Sequence, residues 1–123
     1  MKAFNLAGLF MLLCIPAQGI CESIPITITA YSPTVSQCDA DPLVTASMTK
    51  VREGIVALSR DLERKHNLKF GDKVIVNCGV NSWVLEFQDR MHHRWKNKVD
   101  IFMWNRMDAL KFGKQQGTLW IRR

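Results

Sequence analysis

Hydrophobic and polar residues alternate, or hydrophobic residues run together, in short segments along most of the chain after residue 20. Six segments have this character: 24–29, 54–58, 73–76, 83–88, 99–103 and 118–122. A period of two is typical of a strand with one buried face. Pro25, near the start of the first segment, indicates an edge strand because proline cannot donate to a ladder. About six short strands at this spacing predict an all-β barrel or sandwich.

Two short helices are predicted between the strands. Residues 60–66 form a brief charged segment, and Asn105 can cap a second helix that carries Asp108 in its first turn and ends at Gly113. Residues 31–42 are rich in Ser, Pro, Asp and Thr and predict a loop. With 123 residues and no visible linker, we expect one small domain.

The first nineteen residues have the features of a secretory signal peptide. Lys2 precedes an apolar stretch over 6–15, and small residues end at Gly19. We expect residues 1–19 to be removed and residues 20–123 to form an exported domain in the periplasm or at the outer membrane and cell wall. The apolar stretch is too short for a permanent anchor, so no transmembrane anchor is expected in the mature chain. An uncleaved N-terminal anchor is the alternative.

The net charge and the cysteines give limited information about binding partners and disulfides. The net charge of +6 falls to +5 once Lys2 is removed, which favours solubility or an anionic partner. Export would place Cys21, Cys38 and Cys78 in an oxidising compartment. We favour a disulfide between Cys38 and Cys78, because Cys21 lies beside the cleavage point; three free thiols are the alternative.

Two aspartates are the strongest candidates for chemistry. Asp89 closes one predicted strand, and Asp100 interrupts another, where it shares a face with Phe102 while Val99 and Ile101 point to the other face. A carboxyl group against apolar surface retains its proton, and a nearby second carboxylate strengthens that effect. Asp100 is therefore a candidate general acid. Both residues are alternatively structural acceptors for backbone N–H groups.

Residues 90–98 form a basic segment that also contains Trp95 and two histidines. Arg94 and Trp95 are candidates for gripping an anionic polymer through charge and stacking. Peptidoglycan is the expected polymer for an exported protein, with nucleic acid and a merely solvated loop as alternatives. No metal site is expected, because adjacent His92 and His93 would point apart on an extended chain. The large apolar residues Met91, Met103, Trp104, Met107 and Trp120 are expected to fill the core.

The order of several short motifs resembles the three-aspartate domain, a family that includes membrane-bound lytic transglycosylases. The motifs are Thr29-Ala30-Tyr31-Ser32-Pro33, Cys38-Asp39, Thr45-Ala46-Ser47, Gly54-Ile55-Val56-Ala57, Gly71-Asp72-Lys73-Val74, Asp89, Asn97-Lys98-Val99-Asp100-Ile101-Phe102 and Ala109-Leu110-Lys111-Phe112-Gly113. The resemblance covers nearly all of the chain after residue 20. It implies a six-stranded double-psi β-barrel with one or two short helices.

The resemblance also implies a chemistry. Asp100 matches the position of the aspartate that serves as catalytic acid and base in cleaving peptidoglycan glycan strands. Asp89 matches the position of a second, earlier aspartate. Thr45 matches the threonine of a Thr-Ala-Ser turn. With Thr45, we expect Tyr31, Arg94, Trp95 and Asn97 to bind the glycan. No cofactor is implied, and no nucleic acid is expected; other wall-processing proteins are conceivable partners.

The chain departs from the family pattern in three places. Ser59 stands at the register of the third aspartate, which leaves Asp61 as a possible substitute. Arg90, Met91 and His92 replace glycines after Asp89, and Met48 replaces the glycine after Thr-Ala-Ser. A non-catalytic wall-binding module is therefore the alternative to an enzyme.

Overall fold

A closed β-barrel forms the body of the molecule in the computed structural model, which describes residues 21–33 and 43–122. Within these residues six strands and two short helices are present. In chain order they are β1 (Cys21–Tyr31), β2 (Ile55–Leu58), α1 (Arg60–Lys65), β3 (Lys73–Cys78), β4 (Asn81–Arg90), β5 (Lys98–Phe102), α2 (Arg106–Phe112) and β6 (Gln115–Arg122). The predicted signal peptide lies outside the described residues. The all-β class and the two helices are confirmed.

The barrel mixes parallel and antiparallel pairs. Its strands follow the order β1, β5, β2, β4, β3, β6 and close back on β1. Strand β1 is parallel to β5 and β2 is parallel to β4, while the other four contacts are antiparallel. Of the two architectures that the strand pattern allowed, the structure is the barrel.

Alternating side chains fill the barrel interior. Ile28, Leu58, Phe87, Val99 and Leu119 are fully buried there. Because strand side chains alternate between faces, the residues between these positions point away from the barrel axis.

A second, smaller apolar cluster covers part of the outer surface. It consists of Tyr31, Val51, Ile55, Ala57, Met91 and Phe102, with Trp95 packed against it. Ile55 and Ala57 alternate with inward-facing Val56 and Leu58 on β2, and Phe102 lies opposite to inward-facing Ile101 on β5. In this part of the barrel wall, apolar side chains therefore cover both the inner and the outer surface.

The prediction of an edge strand from Pro25 is wrong. Strand β1 pairs with β6 over Cys21–Ile28 and with β5 from Thr27 onward, so it lies between two neighbours. Pro25 lies before the β5 pairing begins. Its missing N–H therefore removes no hydrogen bond on that side.

Trp104 and Met107 do not fill the core, contrary to expectation. Trp104 is 51% exposed and Met107 58% exposed, whereas Met91 is buried in the outer cluster as expected. Both exposed residues follow the end of β5, where α2 buries only Ala109 fully. Trp104 lies in the bend before α2, and α2 has only one narrow face against the barrel, which leaves Met107 outside. No helix among the described residues is long and apolar enough to cross a membrane.

Candidate active site

Four residues form a row across four neighbouring strands of the outer face. Asp100 on β5 is the register partner of Thr29 on β1 and of Ala57 on β2. Ala57 is in turn the partner of Asp89 on β4. Register partners in a sheet project to the same face, so Thr29, Asp100, Ala57 and Asp89 lie side by side.

A β-bulge brings Asp89 into this row. Strict alternation would give Asp89 the inward face of Phe87, two residues before it. The register shifts by one residue between Val56, which faces Phe87, and Ala57, which faces Asp89. Bulges re-aim side chains in this way, often next to functional sites. The result is that Asp89 points to the same side of the barrel as Asp100.

Asp100 has the properties of an acid that keeps its proton to a higher pH than an ordinary aspartate. Its carboxyl is half-buried, and Oδ1 accepts a hydrogen bond of 2.9 Å from the Thr29 hydroxyl. Burial raises the pKa of Asp100 to about 6, against the opposing effects of the Thr29 hydrogen bond and the Lys98 charge, and the charge of Asp89 adds to the rise. Removing the carboxylate from water is thus the main cause.

Asp89 is held by three donors. Its Oδ2 accepts from the Tyr31 hydroxyl at 3.0 Å, and its Oδ1 accepts from the backbone N–H groups of Ala46 and Arg90, both at 2.9 Å. These contacts join β1, β4 and the turn that begins at Thr45. Asp89 is therefore a fixed acceptor with a defined orientation, a property that serves either an electrostatic role in catalysis or a structural one.

Thr45 is buried and its hydroxyl is engaged inside its own turn. Oγ1 lies 2.9 Å from both Ser47 Oγ and Thr49 Oγ1 and donates to the Thr49 carbonyl at 3.1 Å. These contacts favour turn-capping for Thr45, and its binding of substrate stays a prediction. The turn contributes to the site through the Ala46 N–H instead. Met48 has a φ of +68°, a conformation that glycine adopts more easily.

Asp61 is not in the acidic row. It lies in the first turn of α1, where Oδ2 accepts from the Asn97 N–H at 3.0 Å. Burial acts to raise the pKa of Asp61, but hydrogen bonds from the Ser59 side chain and the Asn97 N–H outweigh it and lower the pKa. Ser59 is fully buried and accepts from the Lys98 N–H. Asp61, Ser59 and Asn97 thus fix the entry into β5.

Two cations lie over the indole ring of Trp95. The Arg94 guanidinium carbon is 4.8 Å and the Lys98 Nζ is 3.7 Å from the ring centroid. Lys98 is half-buried, and its burial lowers its pKa although Asp100 favours the charged form. Since β5 side chains alternate, Lys98 and Asp100 share the outer face, so the basic segment ends beside the acidic row.

The histidines do not point apart as expected. The rings of His92 and His93 stack with centroids 4.2 Å apart, because residues 91–96 turn instead of extending. Within residues 21–33 and 43–122, no three His, Cys, Asp or Glu side chains come together as a metal site.

Arg90 and Met91, which follow Asp89, have local partners. Arg90 binds Glu63 through two hydrogen bonds of 2.7 and 2.6 Å, and its guanidinium lies 4.7 Å from the Phe70 centroid. Met91 packs in the outer cluster. Arg90 is therefore directed toward α1, where it fastens the helix to β4.

Cys78 has no disulfide partner among the described residues, and its Sγ donates to Gln115 Oε1 at 2.7 Å. Cys38 lies outside the described residues, so its pairing with Cys78 stays a prediction.

The sequence reasoning missed the roles of Thr29 and Lys98 beside Asp100. Both could have been identified from the sequence. Thr27, Thr29 and Tyr31 occupy alternate positions of β1, and Lys98 precedes Asp100 by two residues, so each set shares one face of its strand. No protein-family model matches this chain, and no curated protein matches it.

Proposed function

We propose that this chain is an exported peptidoglycan-active protein of the three-aspartate type, with a double-psi barrel, that cleaves glycosidic bonds of the glycan strand as a lytic transglycosylase does. The observation that carries the proposal is Asp100, a half-buried carboxyl with a pKa raised to about 6, in the same row as Asp89. The closed mixed barrel is compatible with this family's fold.

Asp100 would first act as the general acid. Its proton passes to the bridging oxygen while positive charge develops on the muramyl ring. Asp89, whose orientation is fixed by Tyr31, Ala46 and Arg90, lies in the same row and favours that charge. The bond to the leaving sugar then breaks.

The same carboxylate would then act as the base. Deprotonated Asp100 takes the proton of the primary hydroxyl of the muramyl residue, and that oxygen attacks the ring carbon to form an anhydro ring. Because the attacking group belongs to the substrate, ring closure is effectively unimolecular. These steps need no metal and no organic cofactor.

A non-catalytic wall-binding module is the second candidate. It is favoured by Ser59, which takes the place of the third aspartate and is buried against β5, and by the Thr45 hydroxyl, which is engaged within its turn. In such a module Asp89 would serve to hold the Thr45 turn on the barrel.

Digestion of purified sacculi distinguishes the two candidates. We expect the native chain to release muropeptides with anhydro ends, measured by mass spectrometry, and Asp100→Asn to release none while still binding sacculi in a pull-down. Asp108→Asn, at an exposed carboxylate on α2, is the matched control and should act like the native chain. If the native chain binds sacculi but yields no anhydro ends, the binding module is the correct function.

A further inference from the structure

Trp104 presents an aromatic side chain at the end of the strand that carries Asp100. Its side chain is 51% exposed although tryptophan is among the residues that gain most from burial. It stands two residues after Phe102 and four after Asp100. The exposed part of the indole is available for contact with a ligand.

A ladder of aromatic rings holds Trp104 in place. Its ring meets Phe102 edge to face, with centroids 5.0 Å apart and planes at 82°. Phe102 meets Tyr31 in the same way, at 5.5 Å and 73°, and the Tyr31 hydroxyl donates to Asp89. The orientation of the exposed indole is thus set by contacts that begin at the acidic row. Preorganisation of this kind reduces the entropy lost when a ligand binds.

The outer face of β5 has a defined order. Lys98 comes first, with its ammonium 3.7 Å from the Trp95 centroid, followed by Asp100 and Phe102, and Trp104 lies just beyond the end of the strand. Phe102 is two residues, or about 6.6 Å, from Asp100 along β5. The Trp104 ring contacts the Phe102 ring, so Phe102 lies between Asp100 and Trp104 in this order. Trp104 would therefore contact a ring other than the one whose bond is broken.

We propose that Trp104 is a sugar-stacking subsite for a glycan strand that lies along β5. The proposal rests on the proposed function, because Asp100 marks where the bond would break. The C–H face of an amino sugar stacks on an indole, and Trp104 has the surface available for it. Trp95 is already covered by the Lys98 ammonium. Trp95 then serves to position Lys98. The Lys98 end of β5 receives the peptide carboxylates of the glycan strand.

Titration with a hexasaccharide of β-1,4-linked N-acetylglucosamine tests the subsite directly. Asp100→Asn provides the background, so that no cleavage occurs. We expect the Trp104 indole N–H signal to shift in NMR spectra, while Trp83, whose ring packs against Phe112, stays unchanged. Calorimetry should show affinity about three- to ten-fold weaker for Trp104→Ala, and an intermediate loss for Trp104→Phe.

Met107→Ala is the matched control, since Met107 is a similarly exposed apolar side chain on α2. It should leave hexasaccharide affinity unchanged. Equal losses of hexasaccharide affinity in Met107→Ala and Trp104→Ala would overturn the subsite, because they would show that this surface makes only general apolar contacts. A dimer in sedimentation that both variants abolish would overturn it for the same reason. Unchanged affinity in Trp104→Ala would also overturn it.

The subsite and the proposed function can fail separately. If the native chain releases anhydro products from sacculi but Trp104 contributes nothing to binding, only the subsite is wrong. If affinity depends on Trp104 but no products form, the subsite stands and the wall-binding module is favoured. Absence of both binding and products would overturn the two together.

Discussion

Asp89 and Asp100 are register partners of the same residue, Ala57, from opposite sides of β2. Ala57 is nearly fully buried in the outer cluster, and its methyl group is the only side chain between the two strands that carry the carboxyls at this level of the sheet. A larger side chain at this position would stand between the two carboxyl groups. The site therefore depends on one small residue and on the bulge that turns Asp89 outward.

Asp100→Asn should make the protein more stable at pH 7 while removing the proposed activity. The folded-state pKa of Asp100 is raised from 3.8 to about 6. Folding is therefore unopposed well below pH 4, where Asp100 is protonated in both states, and is increasingly opposed as pH rises through about 4 to about 6. The full effect above that range is about 2–3 kcal/mol. Asparagine carries no such penalty and can still accept from Thr29.

Urea unfolding of the native chain and Asp100→Asn at pH 4 and pH 7 measures this effect. The variant should match the native chain at pH 4 and exceed it at pH 7. Asp108→Asn controls for the loss of an exposed carboxylate and should show no comparable gain. Equal stability of native chain and Asp100→Asn at both pH values would mean that Asp100 is not desolvated.

The pH dependence of wall cleavage should report the titration of Asp100. The proposed acid must be protonated, so kcat/KM should fall as pH rises through about 6. Lys98 lowers this pKa and Asp89 raises it. Lys98→Met should therefore move the alkaline limb to higher pH, and Asp89→Asn should move it to lower pH. Muropeptide release measured across pH 4.5 to 8 checks both directions. If neither variant moves the alkaline limb, that limb reports the titration of a group other than Asp100.

The strands and the face on which Asp100 lies could be predicted from the sequence because both follow from local residue patterns. The alternation around Asp100 gives its face correctly, with Phe102 on one side and Ile101 on the other. Alternation alone fails at Asp89, since the bulge that reverses its direction depends on how β4 pairs with β2. The exposure of Trp104 and the stacking of His92 on His93 likewise depend on where the chain turns after a strand.

Met48→Gly should stabilise the protein. Met48 is 82% exposed and has a φ of +68°, so its side chain gains little from burial while its backbone is strained. A left-handed conformation costs a non-glycine residue roughly 1–2 kcal/mol, of which the greater flexibility of unfolded glycine offsets a part. We expect a net gain of about 0.5–1 kcal/mol in the free energy of unfolding.

Asn67→Gly is the comparison for this change. Asn67 also has a positive φ, of +52°, but asparagine adopts that region at low cost. Its gain in urea unfolding should therefore be smaller than that of Met48→Gly. A loss of stability in Met48→Gly would show that the Met48 side chain has contacts that outweigh the strain.

Glu63→Gln should destabilise the protein by weakening the attachment of α1 to β4. Glu63 and Arg90 are only 19% and 31% exposed in their side chains, and the guanidinium makes two short hydrogen bonds to one carboxylate. Removing one partner leaves Arg90 half-buried against Phe70 with only the weaker attraction of Asp89. We expect a loss of about 1–3 kcal/mol in urea unfolding.

Arg52→Met gives the matched control, because it breaks a single-contact ion pair with Glu86 in which Arg52 is 52% exposed. That loss should stay below about 1 kcal/mol. The double variant Glu63→Gln with Arg90→Met should recover part of the stability, since neither half-buried charge is then left alone. Similar losses for Glu63→Gln and Arg52→Met would contradict the role of Arg90 in fastening α1, and strictly additive losses in the double variant would show that the two side chains are not coupled.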